Sequence, residues 1–273
     1  MQRGTEAVEV FARNRAAGRL ALSVASRAGT SRRERIYEDG PLRARFPSSG
    51  PDGLEAVIVN TAGGIAGGDR HDIDIALRAG ARLTVTTAAA EKVYRSLGPD
   101  SEISVKLRVE ADAHLSWLPQ ETILFDRARL SRRIEADLAE GASLLMAEAL
   151  VFGRSAMNEA VEEGALADRW RVRLGGRLLF AEGLRFNSAI ARTLAEPAAA
   201  AGGVAAATVL AIPGDDGMIE RARAVTFHGE VGVSCWNGLA AARLCAKDGA
   251  DLRRDLAAVV TAFGGALPRI WLN

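Results

Sequence analysis

The chain has 273 residues, of which 35 are lysine or arginine and 34 are aspartate or glutamate, so it carries almost no net charge. This balance argues against nucleic acid or an anionic membrane as a partner, because both attract strongly basic surfaces. Two cysteines without zinc-type spacing argue against a disulfide-rich scaffold, and no apolar run reaches the roughly eighteen residues of a membrane span.

The N-terminal stretch from Met1 to Leu20 is interrupted by charged side chains and does not resemble a signal peptide. We therefore expect a cytoplasmic protein. Because β-sandwich and solenoid architectures of this length form single units, we also expect one domain over 1–273. An Ala/Gly-rich stretch at about 196–207 is expected to be a surface loop.

Alternating polar and apolar residues dominate the first half of the chain. The runs at 72–77, 82–86 and 103–109 each predict a β-strand with one solvated face. In the last part, the apolar positions of 250–263 follow helical spacing, with Asp251 near the N-terminus of the predicted helix. Trp271 is expected to pack back onto the body of the protein.

A weak internal repeat accompanies the strands. Turn-like segments centred on Gly80, Asp112 and Gly141 each precede an apolar strand start, and Gly175 is a candidate fourth copy. Repetition at this interval predicts a mainly β fold, either stacked hairpins in two facing sheets or a solenoid of β-helical character, with a small C-terminal helical part. The alternative is that the repeat only reflects an alanine-rich composition.

The segment NTAGGIAGGD at 60–69 contains four glycines, Gly63, Gly64, Gly67 and Gly68, followed by Asp69. A phosphate-binding loop of the Walker type needs a lysine after its last glycine, and a dinucleotide fingerprint must open a helix. Here an aspartate and a predicted strand follow instead. A small-molecule or phosphate-binding enzyme that uses Gly63 to Asp69 therefore remains only an alternative.

Other catalytic patterns give little support for an enzyme. The three histidines form no chelating helical pair, and no Gly-x-Ser-x-Gly elbow occurs. Asp69 and His71 can share one face of a strand as a two-ligand pocket, although a solvated strand rim also explains such a pair. We predict no catalytic residue and no stable metal site.

Four blocks in order resemble the signature of the urease accessory protein family UreD, also called UreH. They are NTAGGIAGGD at 60–69, LTVTTAAAEKVYRS at 83–96, LSWLPQETILFDRARL at 115–130 and LVFGR at 150–154, and the ending ALPRIWLN at 266–273 is also similar. Besides the four glycines, the blocks contain the motif residues Tyr94, Arg95, Pro119, Gln120, Gly153 and Arg154, to which we assign structural roles.

The resemblance implies a non-enzymatic maturation scaffold with a mostly β, β-helical fold. It implies binding to urease apoprotein and to the accessory protein UreF, which in turn recruits the GTPase UreG. It also implies that nickel passes through the protein in transit, without a stably bound cofactor. The residues that match the acidic positions of the implied nickel passage are Asp69, Glu148 and Glu182.

Carboxylates suit a passage because imidazole and thiolate ligands bind nickel tightly, whereas oxygen ligands release it more readily. A buried carboxylate is unfavourable unless it is paired or hydrated, so acids on core strands suggest a water-filled interior. The alternative is that Glu148 and Glu182 form ion pairs with nearby arginines such as Arg154 and Arg185.

Overall fold

Two β-sheets face each other in the computed structural model, which describes residues 15–47, 49–50, 53–154, 157 and 159–272. Residues 1–14, most of the stretch considered for a signal peptide, lie outside this description. The strands are β1 (Ala17–Arg27), β2 (Thr30–Asp39), β3 (Leu42–Arg45), β4 (Ser49–Gly50), β5 (Gly53–Asn60), β6 (Arg70–Leu77), β7 (Arg82–Thr87), β8 (Glu91–Val93), β9 (Ser101–Val109), β10 (His114–Trp117), β11 (Thr122–Leu124), β12 (Arg129–Leu138), β13 (Ser143–Phe152), β14 (Ala165–Leu174), β15 (Arg177–Asn187), β16 (Ala205–Ile212), β17 (Glu230–Trp236) and β18 (Leu239–Ala246).

The first sheet has seven strands in the order β15-β14-β12-β9-β6-β1-β2, and the five central strands run parallel. The second sheet has eleven strands, with the main path β17-β18-β16-β13-β10-β7-β5-β3. Strands β5, β7, β10 and β13 run parallel, whereas β16, β18 and β17 extend the sheet in antiparallel fashion. The parallel strands build a solenoid of about four turns.

The predicted turn repeat explains the solenoid. Gly80, Asp112 and Gly141 have φ values of 68°, 59° and 79°, and each turn carries the chain from the seven-stranded to the eleven-stranded sheet. A left-handed backbone of this kind suits glycine or a short polar residue. The solenoid prediction is confirmed. The proposed fourth copy at Gly175 is wrong, because β14 and β15 form an antiparallel hairpin within one sheet.

Both outer pairs of the seven-stranded sheet are antiparallel and irregular. The β1/β2 pair shifts register between Ser23 and Val24, and the β14/β15 pair shifts between Val172 and Arg173. A bulge of this kind bends the strand and increases its local twist. The parallel part of the sheet is thus flanked on both sides by bulged hairpins.

Within the described residues, three α-helices and one 3₁₀-helix accompany the sheets: α1 (Ile190–Ala195), α2 (Asp216–Arg223), α3 (Gly249–Ala262) and the 3₁₀-helix Arg269–Leu272. The C-terminal helix is found one residue earlier than predicted. Its N-cap is Asp248, which accepts hydrogen bonds from two backbone amides at 2.9 Å, so Asp251 belongs to the first turn. Among the described residues, no helix combines the length and apolar character needed to span a membrane.

The core consists of side chains that alternate inward along both sheets, such as Leu107, Ala136 and Met146. A second cluster lies on the outer face of the eleven-stranded sheet, where α3 packs through Leu256 and Val259. Strand β16 begins at Ala205, so the predicted loop at 196–207 is shorter than expected and its last three residues belong to the sheet. Trp271 donates to the Thr86 hydroxyl at 3.2 Å, which anchors the 3₁₀-helix on this outer face.

Candidate functional site

A cavity of about 670 Å³ lies between the two sheets. It lies on the side formed by the C-terminal strands, where β14 and β15 face β13, β16 and β18. Glu148 and Glu182, two of the three predicted passage residues, both line it. They come from opposite sheets, since Glu148 lies on β13 and Glu182 on β15. The space between the sheets therefore brings together two acids that are far apart in sequence.

A buried charge cluster forms the inner end of the cavity. Arg132 on β12 donates to both carboxylate oxygens of Asp168, through Nε at 3.0 Å and through Nη2 at 2.5 Å. Its Nη1 reaches across the interior and donates to Glu148. The exposed fractions of Arg132 and Glu148 are only 4% and 5%. One arginine thus serves two carboxylates, which leaves the cluster with one net negative charge when all three groups are ionised.

Two indole groups complete the hydrogen bonding of the acids. Trp117 Nε1 donates to Glu148 Oε1 at 2.7 Å, and Trp170 Nε1 donates to Asp168 Oδ1 at 3.2 Å. Burial raises the pKa of Glu148, against the opposing attraction of Arg132 and the hydrogen bond from Trp117. Burial alone would lower the pKa of Arg132, but the charges of Asp168 and Glu148 outweigh it and raise that pKa.

Polar side chains continue from this cluster to the protein surface. Glu148, Thr208 and Arg243 are register neighbours on β13, β16 and β18, so their side chains share one face of the sheet. Glu182 accepts from Thr208 at 3.2 Å and from Arg243 at 3.1 Å across the cavity. The exposed fraction falls from 66% at Arg243 to 20% at Glu182 and 5% at Glu148. The row therefore leads from solvent into the interior.

The family model described as UreD urease accessory protein matches residues 16–272. The chain belongs to the UreD family. It is 56% identical over 266 residues to the urease accessory protein UreD of Rhodopseudomonas palustris strain BisA53, with 97% of this chain and 93% of that protein covered. It is 55% identical over 266 residues to UreD of Bradyrhizobium diazoefficiens, with 97% and 96% covered. The resemblance of the four sequence blocks to this family is confirmed.

Both glutamates form ion pairs, as the alternative predicted, but with other arginines than the two expected. Glu148 pairs with Arg132 and Glu182 pairs with Arg243. Arg154 pairs instead with Glu159, while Arg185 lines the cavity. In this UreD family member, ion pairing and lining of the cavity do not exclude each other, because both glutamates are paired and both line the cavity.

Asp69 does not lie with the other two predicted passage residues. It precedes β6, whereas the inner end of the cavity is marked by Arg132 on β12. These two strands are separated by β9, so they lie about 10 Å apart across the sheet. Its Oδ1 accepts from the Ala16 amide and its Oδ2 from the Ala66 amide, both at 2.8 Å. The carboxylate binds the glycine-rich segment to the start of β1, and Asp69 does not line the cavity that Glu148 and Glu182 share. Its assignment to a nickel passage stays a prediction.

His71 is buried beside Asp69, so the solvated strand rim considered for this pair is wrong: the exposed fractions are 2% and 5%. Burial lowers the pKa of His71, although the charges of Asp69 and Asp72 oppose this. Its Nε2 has no hydrogen-bond partner among the described atoms. Within the described part of the chain, no three or more His, Cys, Asp or Glu side chains are arranged to hold a metal ion.

The glycine-rich segment uses its own amides for internal hydrogen bonds. The amides of Gly63, Ile65 and Gly68 donate to carbonyls of the protein, and Ala66 donates to Asp69. A phosphate cradle needs such amides to point at the ligand. The observed bonding therefore argues against the alternative of a phosphate site at Gly63 to Asp69.

Close packing explains two of these glycines. A Cβ atom on Gly64 would lie 2.4 Å from the Tyr94 ring, and one on Gly67 would lie 2.1 Å from the Ser96 hydroxyl. Tyr94 also donates from its hydroxyl to the Gly63 carbonyl at 2.9 Å. The first and second sequence blocks thus pack directly on each other.

The remaining motif residues also make structural contacts. Arg154 pairs with Glu159 and lies over the Phe125 ring, 4.0 Å from its centroid. Gly153 has φ 93° and lies so close to the Glu159 carbonyl that a side chain would clash. Arg95 forms an isolated bridge with Ala128.

Pro119 and Gln120 link the solenoid to the C-terminal helix. Gln120 donates from its backbone and side chain to Thr87, at 2.9 and 3.1 Å, and accepts from Arg253 of α3 at 3.2 Å. Pro119 lies beside Gln120 in a small pocket that Trp271 also lines. These contacts hold α3 in place relative to β7 and β10.

Sequence reasoning missed Arg132 and Asp168. The alternation of apolar and polar residues along the two strands could have indicated both, because each charged residue stands at a position where the pattern expects an apolar one. In Leu130-x-Arg132-x-Ile134 on β12, the arginine occupies an inward position, and in Leu166-x-Asp168-x-Trp170 on β14 the aspartate does the same. A charged residue in the apolar phase of a strand indicates a buried polar contact.

Glu91 is a further inward-facing acid. It pairs in register with Thr122, whose hydroxyl lies 3.4 Å from Arg132 Nη1, and both its oxygens accept from the Asn60 amide. Burial raises its pKa to about 7. Because the ionised form is disfavoured in the folded chain, the stability that Glu91 contributes is complete below pH 4.5 and is lost as the pH rises to about 7.

Glu91→Gln removes this titration. We expect the free energy of unfolding of the variant, relative to that of the parent chain, to increase by about 2 kcal/mol between pH 4.5 and pH 7.5, after a discount for partial exposure. Urea denaturation at a series of pH values measures this difference. Glu121→Gln, on the neighbouring segment, is the control, and an equal pH dependence for both variants would contradict the assignment.

Proposed function

We propose that this chain is a urease maturation scaffold of the cytoplasm that binds urease apoprotein and UreF, recruits UreG through UreF, and delivers Ni²⁺ through the cavity between its sheets. The high identity of this chain to urease accessory proteins UreD supports the maturation role. The observation that carries the delivery step is the polar row from Arg243 through Glu182 to Glu148. Nickel is the cargo in this proposal and no resident cofactor is required.

The chemistry of the row fits transfer better than storage. Its acidic members offer oxygen ligands, which release a divalent nickel ion more readily than imidazole or thiolate ligands. Cys245 also lines the cavity, but burial and then the charge of Glu230 raise its pKa, which keeps the thiol protonated and a weak ligand. The carboxylates, and not this thiol, are therefore the ligands that the cavity offers to the ion.

The proposal assigns no catalytic residue to this chain. The glycine-rich segment, on which the enzyme alternative depended, bonds its amides internally. Among the described residues, His114 bonds the two serines Ser143 and Ser116 but no acid, whereas His228 bonds Asp255 but no serine. Neither histidine therefore joins a serine to an acid as a hydrolytic triad requires. We expect no turnover by the isolated chain.

Glu182→Gln tests the delivery step. The change keeps the side chain's size but removes the negative charge of the outer of the two glutamates in the row, so Ni²⁺ loses a carboxylate ligand and the attraction of that charge. In cells that express urease with its accessory proteins, we expect about a tenfold loss of urease activation, since one charge at a shielded site corresponds to roughly 1.4 kcal/mol or more. The measurements are urease activity and nickel content per urease.

Glu220→Gln on α2 is the matched control, because this glutamate is exposed and lies outside the cavity. Both variants should co-purify with UreF and urease as the parent chain does. Full nickel content with Glu182→Gln would refute the delivery step. Failure of the parent chain to co-purify with these partners would refute the scaffold role.

A further inference from the structure

The hydrogen bonds of Arg132 are divided unequally between its two acids. Asp168 lies on the adjacent strand of the same sheet and is bound at both oxygens. Glu148 lies on the opposite sheet and receives only one guanidinium nitrogen. A bidentate pair within one sheet is harder to separate than a single bond across the interior. Arg132 and Asp168 therefore form the permanent pair, and Glu148 is the acid that can exchange its partner.

The cluster also lies where a cation in the cavity would be bound most tightly. Glu148 and Asp168 line the cavity together with Arg132, and both are nearly excluded from solvent. Without a counter-charge, two buried carboxylates would attract a divalent ion strongly, because charges interact more strongly where water is excluded. Among the described residues, Arg132 is the one arginine or lysine that is buried.

We propose that Arg132 is a resident competitor for the cargo cation: it keeps Glu148 from binding a divalent ion tightly, so that the inner end of the cavity releases the ion. The guanidinium and the ion compete for the same carboxylate. When the ion arrives, Glu148 leaves Nη1 while Arg132 remains on Asp168, and the return of Nη1 to Glu148 displaces the ion. Arg132 is thus a positioning residue whose charge sets the affinity of Glu148. This inference rests on the proposed function for the identity of the cargo.

The first test measures Ni²⁺ binding to the purified chain by calorimetry, without urease or other accessory proteins. The double variant Arg132→Gln/Asp168→Asn removes one positive and one negative charge, so the net charge of the cluster is unchanged while Glu148 loses its competitor. We expect an affinity for Ni²⁺ at least about tenfold higher than that of the parent chain. Adding Glu148→Gln should abolish the gain. Equal affinity of a folded double variant and the parent chain would overturn the inference.

A second test separates this role from a merely structural one. In cells with urease and its accessory proteins, the double variant should retain more nickel on the chain while less nickel reaches urease, whereas structural damage would lower both amounts. Should the double variant not fold, Asp168→Asn decides: Arg132 then serves Glu148 alone, and we expect slower nickel loading of urease. Unchanged loading with Asp168→Asn would overturn the inference.

The two proposals fail in different experiments. If the double variant gains Ni²⁺ affinity but Glu182→Gln leaves nickel loading of urease intact, the delivery step is wrong and the competition at Glu148 stands. If Glu182→Gln blocks loading but the double variant gains no affinity, the delivery step stands and the role of Arg132 is wrong.

Discussion

Arg132→Met is expected to lower the free energy of unfolding by about 3–5 kcal/mol, because it leaves two buried carboxylates without their counter-charge. Asp168 loses two hydrogen bonds and Glu148 loses one, at side chains whose exposed fractions are only 4–5%. Urea denaturation followed by circular dichroism measures the change.

The matched control is Arg133→Met, the neighbouring and exposed arginine on β12, which should leave stability close to that of the parent chain. Replacing the whole cluster, by Arg132→Met with Glu148→Leu and Asp168→Leu, should restore much of the loss, since apolar residues need no counter-charge. If Arg132→Met and Arg133→Met were equally stable, the cluster would not be desolvated as described.

Gly64→Ala is expected to lower the free energy of unfolding by about 4 kcal/mol, as the sum of overpacking and backbone strain. The new methyl group would lie 2.4 Å from the Tyr94 ring and 2.9 Å from the Lys92 carbonyl, at a φ of +152°. Because the carbonyl belongs to backbone that pairs with Ile65, the contact cannot be relieved by rotating one side chain. Thermal or urea denaturation measures the loss.

Gly63→Ala provides the comparison within the same segment. Gly63 also has a positive φ, +77°, but nothing lies within 4 Å of its Cβ position. We expect only the cost of the left-handed backbone, about 1 kcal/mol. A Gly64→Ala loss no greater than that of Gly63→Ala would show that the two sequence blocks pack less closely than described.

Local pattern predicted the strands and turns of the solenoid, although it left stacked hairpins as an alternative that only the family resemblance disfavoured. Alternation at 72–77, 82–86 and 103–109 corresponds to β6, β7 and β9, and the turns at Gly80, Asp112 and Gly141 repeat because each joins one sheet to the other. The failure at Gly175 has a physical reason. A glycine turn permits both a crossover and a hairpin, and the choice depends on which strand edge is free, which no local pattern records.

The candidate site was predicted only in part for a related reason. Glu148 and Glu182 were identified through the family resemblance, but their partners Arg132 and Arg243 lie on other strands, 16 and 61 residues away in sequence. Ion pairing depends on which strands face each other, and this is fixed by the packing of the two sheets. For Asp69 the sequence did not indicate the two backbone amides that it binds, because a carboxylate next to glycines is as well suited to bind backbone amides as to face a cavity.

The bulged hairpins at the two sides of the seven-stranded sheet limit how far the solenoid can grow. Regular parallel coils end in open edges that offer unpaired amides and carbonyls to any other copy, and such edges template fibrils. Here the outer strands β2 and β15 each pair through a register shift, which increases local twist, and β2 carries the exposed charged residues Arg32, Arg33, Glu34 and Arg35. Nothing within a repeat of parallel strands limits the number of repeats. The two hairpins end the repeat on both sides of this sheet, which disfavours fibrillar stacking of copies on it.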